Sequence, residues 1–121
     1  MCSVLSLKKS DKLRKNKSFQ AVYKGGKSVS NRLLVLYMLP NQSNSNKIGF
    51  AAGKKLGNAV VRNRVKRMMR EAFRLNRYKL PNGYDFILVG RKPVVEVKTQ
   101  EVASAFLNLC GRMFRTNTER Q

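Results

Sequence analysis

Residues 54–73 read KKLGNAVVRNRVKRMMREAF, and this stretch settles most of the architecture. Asn58 is a good helix N-cap, because its short side chain can accept from an amide of the first turn. From there to about residue 77 the apolar residues Val61, Val65, Met68, Met69, Ala72 and Leu75 fall on one side at about 100° per residue. Arg62, Lys66, Arg70, Arg74 and Arg77 occupy the opposite arc, with Asn63 and Arg67 beside them and Arg64 on the flank. The spacing predicts a helix that buries one side and carries a cationic ridge on the other. Between residues 54 and 79 ten basic residues meet one acid, Glu71, so i,i+4 ion pairing cannot neutralise them. Such a run repels itself unless an anion lies against it.

Outward from the helix, Gly53 and Gly57 bracket the lysine pair, and residues 47–52 (KIGFAA) read as a short strand. Residues 31–39 (NRLLVLYML) read as another, apolar on both alternations and therefore compatible with a sheet interior. Pro40 ends it, a polar loop NQSNSN follows, and the two strands are expected to pair antiparallel. Nearer the start, Asn16 can cap a short helix through about Tyr23 that Gly25-Gly26 stops, with Phe19, Val22 and Tyr23 on one face. On the other side, Pro81-Asn82-Gly83 is a turn, residues 84–91 (YDFILVGR) form a strand closed by Pro93, and residues 99–114 make an amphipathic helix. Its apolar side is Val102, Phe106, Leu109, Cys110 and Met113. The order helix, strands, helix, strand, helix indicates one α+β domain over residues 1–121. A basic arm over about 1–12 and a polar tail over 115–121 are expected to be flexible.

With 121 residues and 42% apolar content the chain can bury a single modest core. Its 26 Lys and Arg against six Asp and Glu give a net charge of +20, which points to a polyphosphate partner, nucleic acid first. An anionic membrane surface is the other electrostatic option. Insertion is set aside: the longest apolar run, 33–39, is far below the ~20 residues a spanning helix needs. The start MCSVLSLKKS reverses the order of a secretory signal. Cys2 and Cys110, without a CxxC pair, fit reduced thiols in a cytosolic protein better than a disulfide.

With no histidine, His-based general catalysis and His metal ligation are excluded. Asp11, Glu71, Asp85, Glu96, Glu101 and Glu119 stand singly, whereas a two-metal nuclease needs several carboxylates converging on ions about 4 Å apart. Neither a catalytic residue nor a protein metal site is expected, so any chemistry resides in a partner. Within the basic segment, arginine forks can take two phosphate oxygens and Asn63 can bind a sugar hydroxyl or orient an arginine. Phe19, Tyr23 and Tyr37 allow two accounts. Tyr37 alternates with Leu33 and Val35, so the three rings could line a groove where bases stack beside basic groups. Spacing alone equally suits, and base rates favour, three ordinary core residues.

GKKLGNAVVRNRVKRMMREAFR, with Arg62-Asn63-Arg64 at its centre, resembles the signature segment of the bacterial ribonuclease P protein subunit. The similarity continues through FQAVYKGGKSVSNRLLVLYML before it and YDFILVGRKP after it. The resemblance implies a ribonucleoprotein endonuclease that removes the 5′ leader from precursor tRNA. It implies that the ribonuclease P RNA, with Mg²⁺ held mainly by RNA and substrate, is the catalyst, and that the protein alone is inactive. It further implies an α-β sandwich, a small mixed sheet packed by helices, with a left-handed strand-helix-strand crossover. That hand would oppose the common rule. By the same resemblance Lys55, Arg62, Asn63, Arg64, Lys66, Arg67 and Arg70 face the RNA subunit. Phe19, Tyr23, Tyr37, Lys54, Arg91 and Lys92 hold the single-stranded leader. The location implied is cytoplasmic, with no membrane and no obligate protein partner evident.

Two other readings share the charge. A ribosomal or RNA-chaperone protein would leave the magnesium dependence of precursor-tRNA cleavage unchanged, and fold alone does not choose. A duplex-DNA binder would need a docking motif, and no helix-turn-helix or zinc pattern is visible.

Overall fold

The computed structural model describes residues 16–42, 45–77 and 80–119. The chain runs α1 (Asn16–Gly25), β1 (Lys27–Ser30), β2 (Leu34–Pro40), β3 (Lys47–Ala51), α2 (Ala59–Asn76), β4 (Tyr84–Gly90) and α3 (Thr99–Glu119). Single 3-10 turns at Lys54–Leu56 and Lys92–Glu96 lead into the two long helices. The basic arm and residues 120–121 lie outside the described residues.

Four strands form one mixed sheet in the order β1-β2-β4-β3. β2 pairs antiparallel with β1 (Lys27 opposite Met38) and with β4 (Leu34 opposite Gly90, Pro40 opposite Tyr84). β3 pairs parallel with β4, Lys47 opposite Asp85 and Ala51 opposite Val89. The expected antiparallel pairing of the strands at 31–39 and 47–52 is therefore incorrect: β4 lies between them. Parallel neighbours need a crossover element, and α2 with its flanking turns supplies it. Residues 31–39 also hold less strand than expected. Asn31 Oδ1 accepts from the amides of Leu33 (3.1 Å) and Leu34 (2.9 Å), so the chain turns there and β2 begins only at Leu34. That turn joins β2 to β1, a short edge strand, KSVS, too polar to stand out in the sequence.

Strand alternation divides the apolar residues between two faces. Leu34, Leu36 and Met38, with Ile48, Phe86 and Leu88, join Val65, Met69 and Phe73 of α2 and Phe106 and Leu109 of α3 in the main core. On the opposite face Ile87 and Val22 form a second small cluster, flanked by Phe19, Tyr37, Leu39 and Val89. The layers are α2 with α3, then the sheet, then α1. β4 is covered on both faces, which accounts for its unbroken run FILV. Leu33, expected on the Tyr37 side, precedes the strand and is buried in the main core instead.

α2 begins as its cap requires. Asn58 is extended (φ −76°, ψ −178°), and its side chain accepts from the Val61 amide at 3.1 Å. Gly57 before it has φ 141°, a conformation that L side chains rarely adopt, and a Cβ there would press on Val61. The buried side of α2 is Val65, Met68, Met69, Ala72, Phe73 and Asn76. Leu75 was expected there but is 43% exposed, because the core stripe centres on Val65, Met69 and Ala72, and Phe73 fills that arc. In α3 all five expected core residues are buried, and the helix runs to Glu119 rather than ending at about residue 114.

Candidate nucleic-acid interface

The rotation of α2 about its axis decides which of its cations meet solvent. Asn63, Arg67 and Arg70 are exposed at the centre of the outward arc, while Arg62, Lys66, Arg74 and Arg77 are half-buried at its margin. The ridge is thus rotated about the helix axis from the expected position, since Phe73 rather than Leu75 points into the core. Two of its members are engaged within the protein. Arg74 grips the Glu71 carboxylate through Nε and Nη2, and Arg77 lies over the Phe73 ring, 5.7 Å from its centroid. The Arg74 hydrogen bond holds the Glu71 carboxyl below the usual carboxylate range.

Arg64 has a double position. It is exposed, yet its guanidinium donates to the carbonyls of Val95 (3.0 Å) and Val97 (3.2 Å), strapping the segment before α3 against α2. Arg62 has its Nε buried without a hydrogen-bond partner among the described residues. A buried donor left unmet costs about 1–3 kcal/mol.

The three aromatic rings do come together, on the opposite layer. Tyr23 and Tyr37 meet edge to face with centroids 4.9 Å apart, and Phe19 lies 6.4 Å from Tyr23. Tyr23 is 41% exposed, while Phe19 and Tyr37 are half-buried. Burial, and then the neighbouring Tyr37, raise the Tyr23 phenol pKa above its ordinary value. The rings are neither a closed core nor free. They form a partly open wall between α1 and the sheet. Its floor contains a residue that the site reading overlooked, Gly49 of β3, where a Cβ would stand 2.4 Å from the Phe19 ring. The signal was an isolated glycine within the strand pattern KIGFAA, a mark of close approach.

At the C-terminal ends of the parallel strands β3 and β4 the chain brings together Lys55, Arg91 and Lys92. They line a cavity of about 420 Å³ whose floor includes Leu56, Val89 and Gly90. Val89 belongs to the aromatic-side cluster and Leu56 to the main core, so the cavity sits at the end of the sheet between the two faces. Arg91 is exposed and anchored by donation from Nη1 to the Asn31 carbonyl at 2.9 Å. Lys54 is exposed on the adjoining 3-10 turn. Lys55, expected with the α2 set, therefore sits beside the residues expected at the leader. The Cys110 side chain is buried in the main core. No group of three or more metal-ligating side chains lies together among the described residues, and no helix there is long and apolar enough to cross a membrane.

Comparison with known proteins agrees on one family. The Ribonuclease P family pattern matches residues 7–113. The ribonuclease P protein component of Alkaliphilus oremlandii is 44% identical over 112 residues, 93% of this chain and 98% of that one. That of Clostridium botulinum (strain Loch Maree) is 46% identical, covering 84% of this chain and 92% of its own. Among solved structures, the Staphylococcus aureus RNase P protein superposes with a TM-score of 0.76 at 34% identity, over 84% of this chain and 93% of that one. The Thermotoga maritima RNase P protein gives 0.76 at 33% identity, over 84% and 96%. A basic helix with an Arg-Asn-Arg core, an aromatic wall across the sheet and this agreement in sequence and fold together place the chain in the family of ribonuclease P protein components.

Proposed function

We propose that this ribonuclease P subunit holds two RNAs on two layers of one small domain. The outward arc of α2, with Arg62, Asn63, Arg64, Lys66, Arg67 and Arg70, docks the RNA subunit, and Lys55, beside Arg91 and Lys92 at the end of the sheet, reaches the same RNA from the border between the two surfaces. The wall of Phe19, Tyr23 and Tyr37, continued by Lys54, Arg91 and Lys92, holds the single-stranded leader of precursor tRNA in the cytoplasm. The observation that carries this reading is the separation itself: the exposed α2 cations and the aromatic wall lie on opposite sides of the sheet. Each side has the chemistry its RNA needs. Arginine forks and one amide suit a folded backbone of phosphates and ribose hydroxyls. Rings beside cations suit unpaired bases, each stacked base worth about 1–3 kcal/mol.

In this scheme hydrolysis belongs to the RNA subunit with its Mg²⁺. The protein's part in this scheme is binding and orientation. Incubating pure protein with precursor tRNA and Mg²⁺, with and without the RNA subunit, tests this. Specific leader removal is expected only with the RNA, and robust cleavage by RNA-free protein would overturn it. For the docking surface, affinity for the RNA subunit should fall steeply with salt, each phosphate contact adding about −0.7 to −0.9 to the log–log slope. Arg67→Ala should lower both affinity and slope, and an unchanged pair would remove the exposed arc from the interface.

A further inference from the structure

Beyond α2, a second cationic hollow lies where the start of α3 meets the helix. It encloses about 420 Å³ and is lined by Arg64, Arg67, Met68, Glu71, Lys98 and Thr99. We propose that this hollow is an additional phosphate site for the RNA subunit, with Lys98 as a contact residue outside the arginine-rich motif.

The reasoning starts from the strap. Arg64 donates to the carbonyls of Val95 and Val97, which fixes the segment just before Lys98 against α2. Lys98 itself is held by a reciprocal turn. Its carbonyl accepts from the amides of Glu101 and Val102, and its amide donates to Glu101 Oε1 at 3.3 Å. Lys98, Arg64 and Arg67 are all exposed residues, and they share the lining of this hollow. Two acids stand near: Glu71, which lines the hollow, has both oxygens taken by Arg74, and Glu101 turns Oε1 to the Lys98 amide. Three cations around one hollow, with an apolar floor from Met68, suit a backbone phosphate and its ribose.

The occupant follows from position. The hollow is on the α2–α3 layer, across the sheet from the aromatic wall, so a leader held at Tyr37 does not reach it without rounding the domain. An RNA lying on Arg67 and Arg70 meets it directly. The proposal rests on the α2 docking surface described above and extends it by one strand contact.

The test measures assembly of the protein with its cognate RNA subunit across a salt series, for wild type, Lys98→Gln, Lys98→Arg, Arg67→Ala and Lys47→Gln. Lys47 is an exposed lysine at the start of β3 and controls for net charge. Lys98→Gln is expected to weaken assembly several-fold at low salt and to reduce the slope by about 0.7–0.9. Lys98→Arg should restore both, and Lys47→Gln should change neither. If Lys98→Gln is silent while Arg67→Ala is not, the hollow is overturned and the α2 surface stands. If both are silent, the α2 surface falls and the hollow with it. Equal effects of Lys47→Gln and Lys98→Gln would reduce the result to net charge and overturn the site. Unchanged assembly with weaker holoenzyme binding of tRNA, leader present or not, would assign the hollow to the tRNA body and overturn the RNA-subunit assignment.

Discussion

The two faces of the sheet are built by different rules. Toward α2 and α3, large side chains interlock: Phe73 meets Phe50 at 6.2 Å and Phe106 at 6.0 Å between ring centroids, and both Phe73 and Phe106 are almost fully buried. Toward α1, the sealed apolar side chains among the described residues are Val22 and Ile87, while aromatic rings stand half open around them. The thick face supplies stability, and its outer helix surface is left free for charge. The thin face supplies little core and keeps its rings accessible. A residue's effect should therefore depend on which face it serves.

Phe73→Ala should produce the largest stability effect, about 3–5 kcal/mol, because it empties the centre of the thick face. Denaturant unfolding measures it, and a loss below about 1 kcal/mol would mean that the two faces do not differ as described. Gly49→Ala comes next and strikes the thin face. A Cβ there collides with the Phe19 ring and must displace it, an overpacking cost of about 1–3 kcal/mol. Hydrogen exchange of the α1 amides should rise, and affinity for long-leader tRNA should fall while assembly with the RNA subunit is kept. If α2 and α3 loosen equally, the thin face is not an independent layer.

Asn58→Ala should cost about 1 kcal/mol by removing the cap bond to the Val61 amide, with Asn58→Ser retaining most of it. Acid and alkali give the smallest effects, in opposite senses. The lowered Glu71 pKa means that its pairing contributes at neutral pH and is lost as pH falls through the carboxylate range. The pair is solvent-screened, so this amounts to no more than about 0.5 kcal/mol. The raised Tyr23 pKa favours the native state only while the phenol is protonated, so stability declines as pH rises above its ordinary value. Thermal melts of wild type and Tyr23→Phe across alkaline pH separate that contribution, because the phenylalanine variant should lose the Tyr23 component of the decline.

Much of this was legible in the sequence, for identifiable reasons. α2, its cap at Asn58 and the buried side of α3 follow from local spacing and side-chain chemistry, which a linear chain displays. Strand order does not. The insertion of β4 between β2 and β3 depends on α2 returning the chain in parallel, a long-range event that no turn residue announces. β1 was invisible because KSVS carries little apolar signal, and its place is set by the Asn31 turn and by Arg112 donating to the Ser30 carbonyl. The twist of α2 that buries Phe73 and exposes Leu75 is a packing decision, made by Phe50 and Phe106. The aromatic trio was ambiguous by spacing, since partial burial on a thin layer satisfies a core reading and a groove reading alike. Lys98 carried no sequence signal, because its nearness to Arg67 arises from the Arg64 strap.

That the aromatic wall serves the leader alone rests on Tyr37. The measurement is holoenzyme affinity for long-leader precursor tRNA and for leaderless tRNA, compared between wild type and Tyr37→Ala. The predicted result is a loss of about 1–3 kcal/mol with the leader and almost none without it, assembly with the RNA subunit being unchanged. Equal losses for both tRNAs, together with a lower melting temperature, would contradict the account and return Tyr37 to the core.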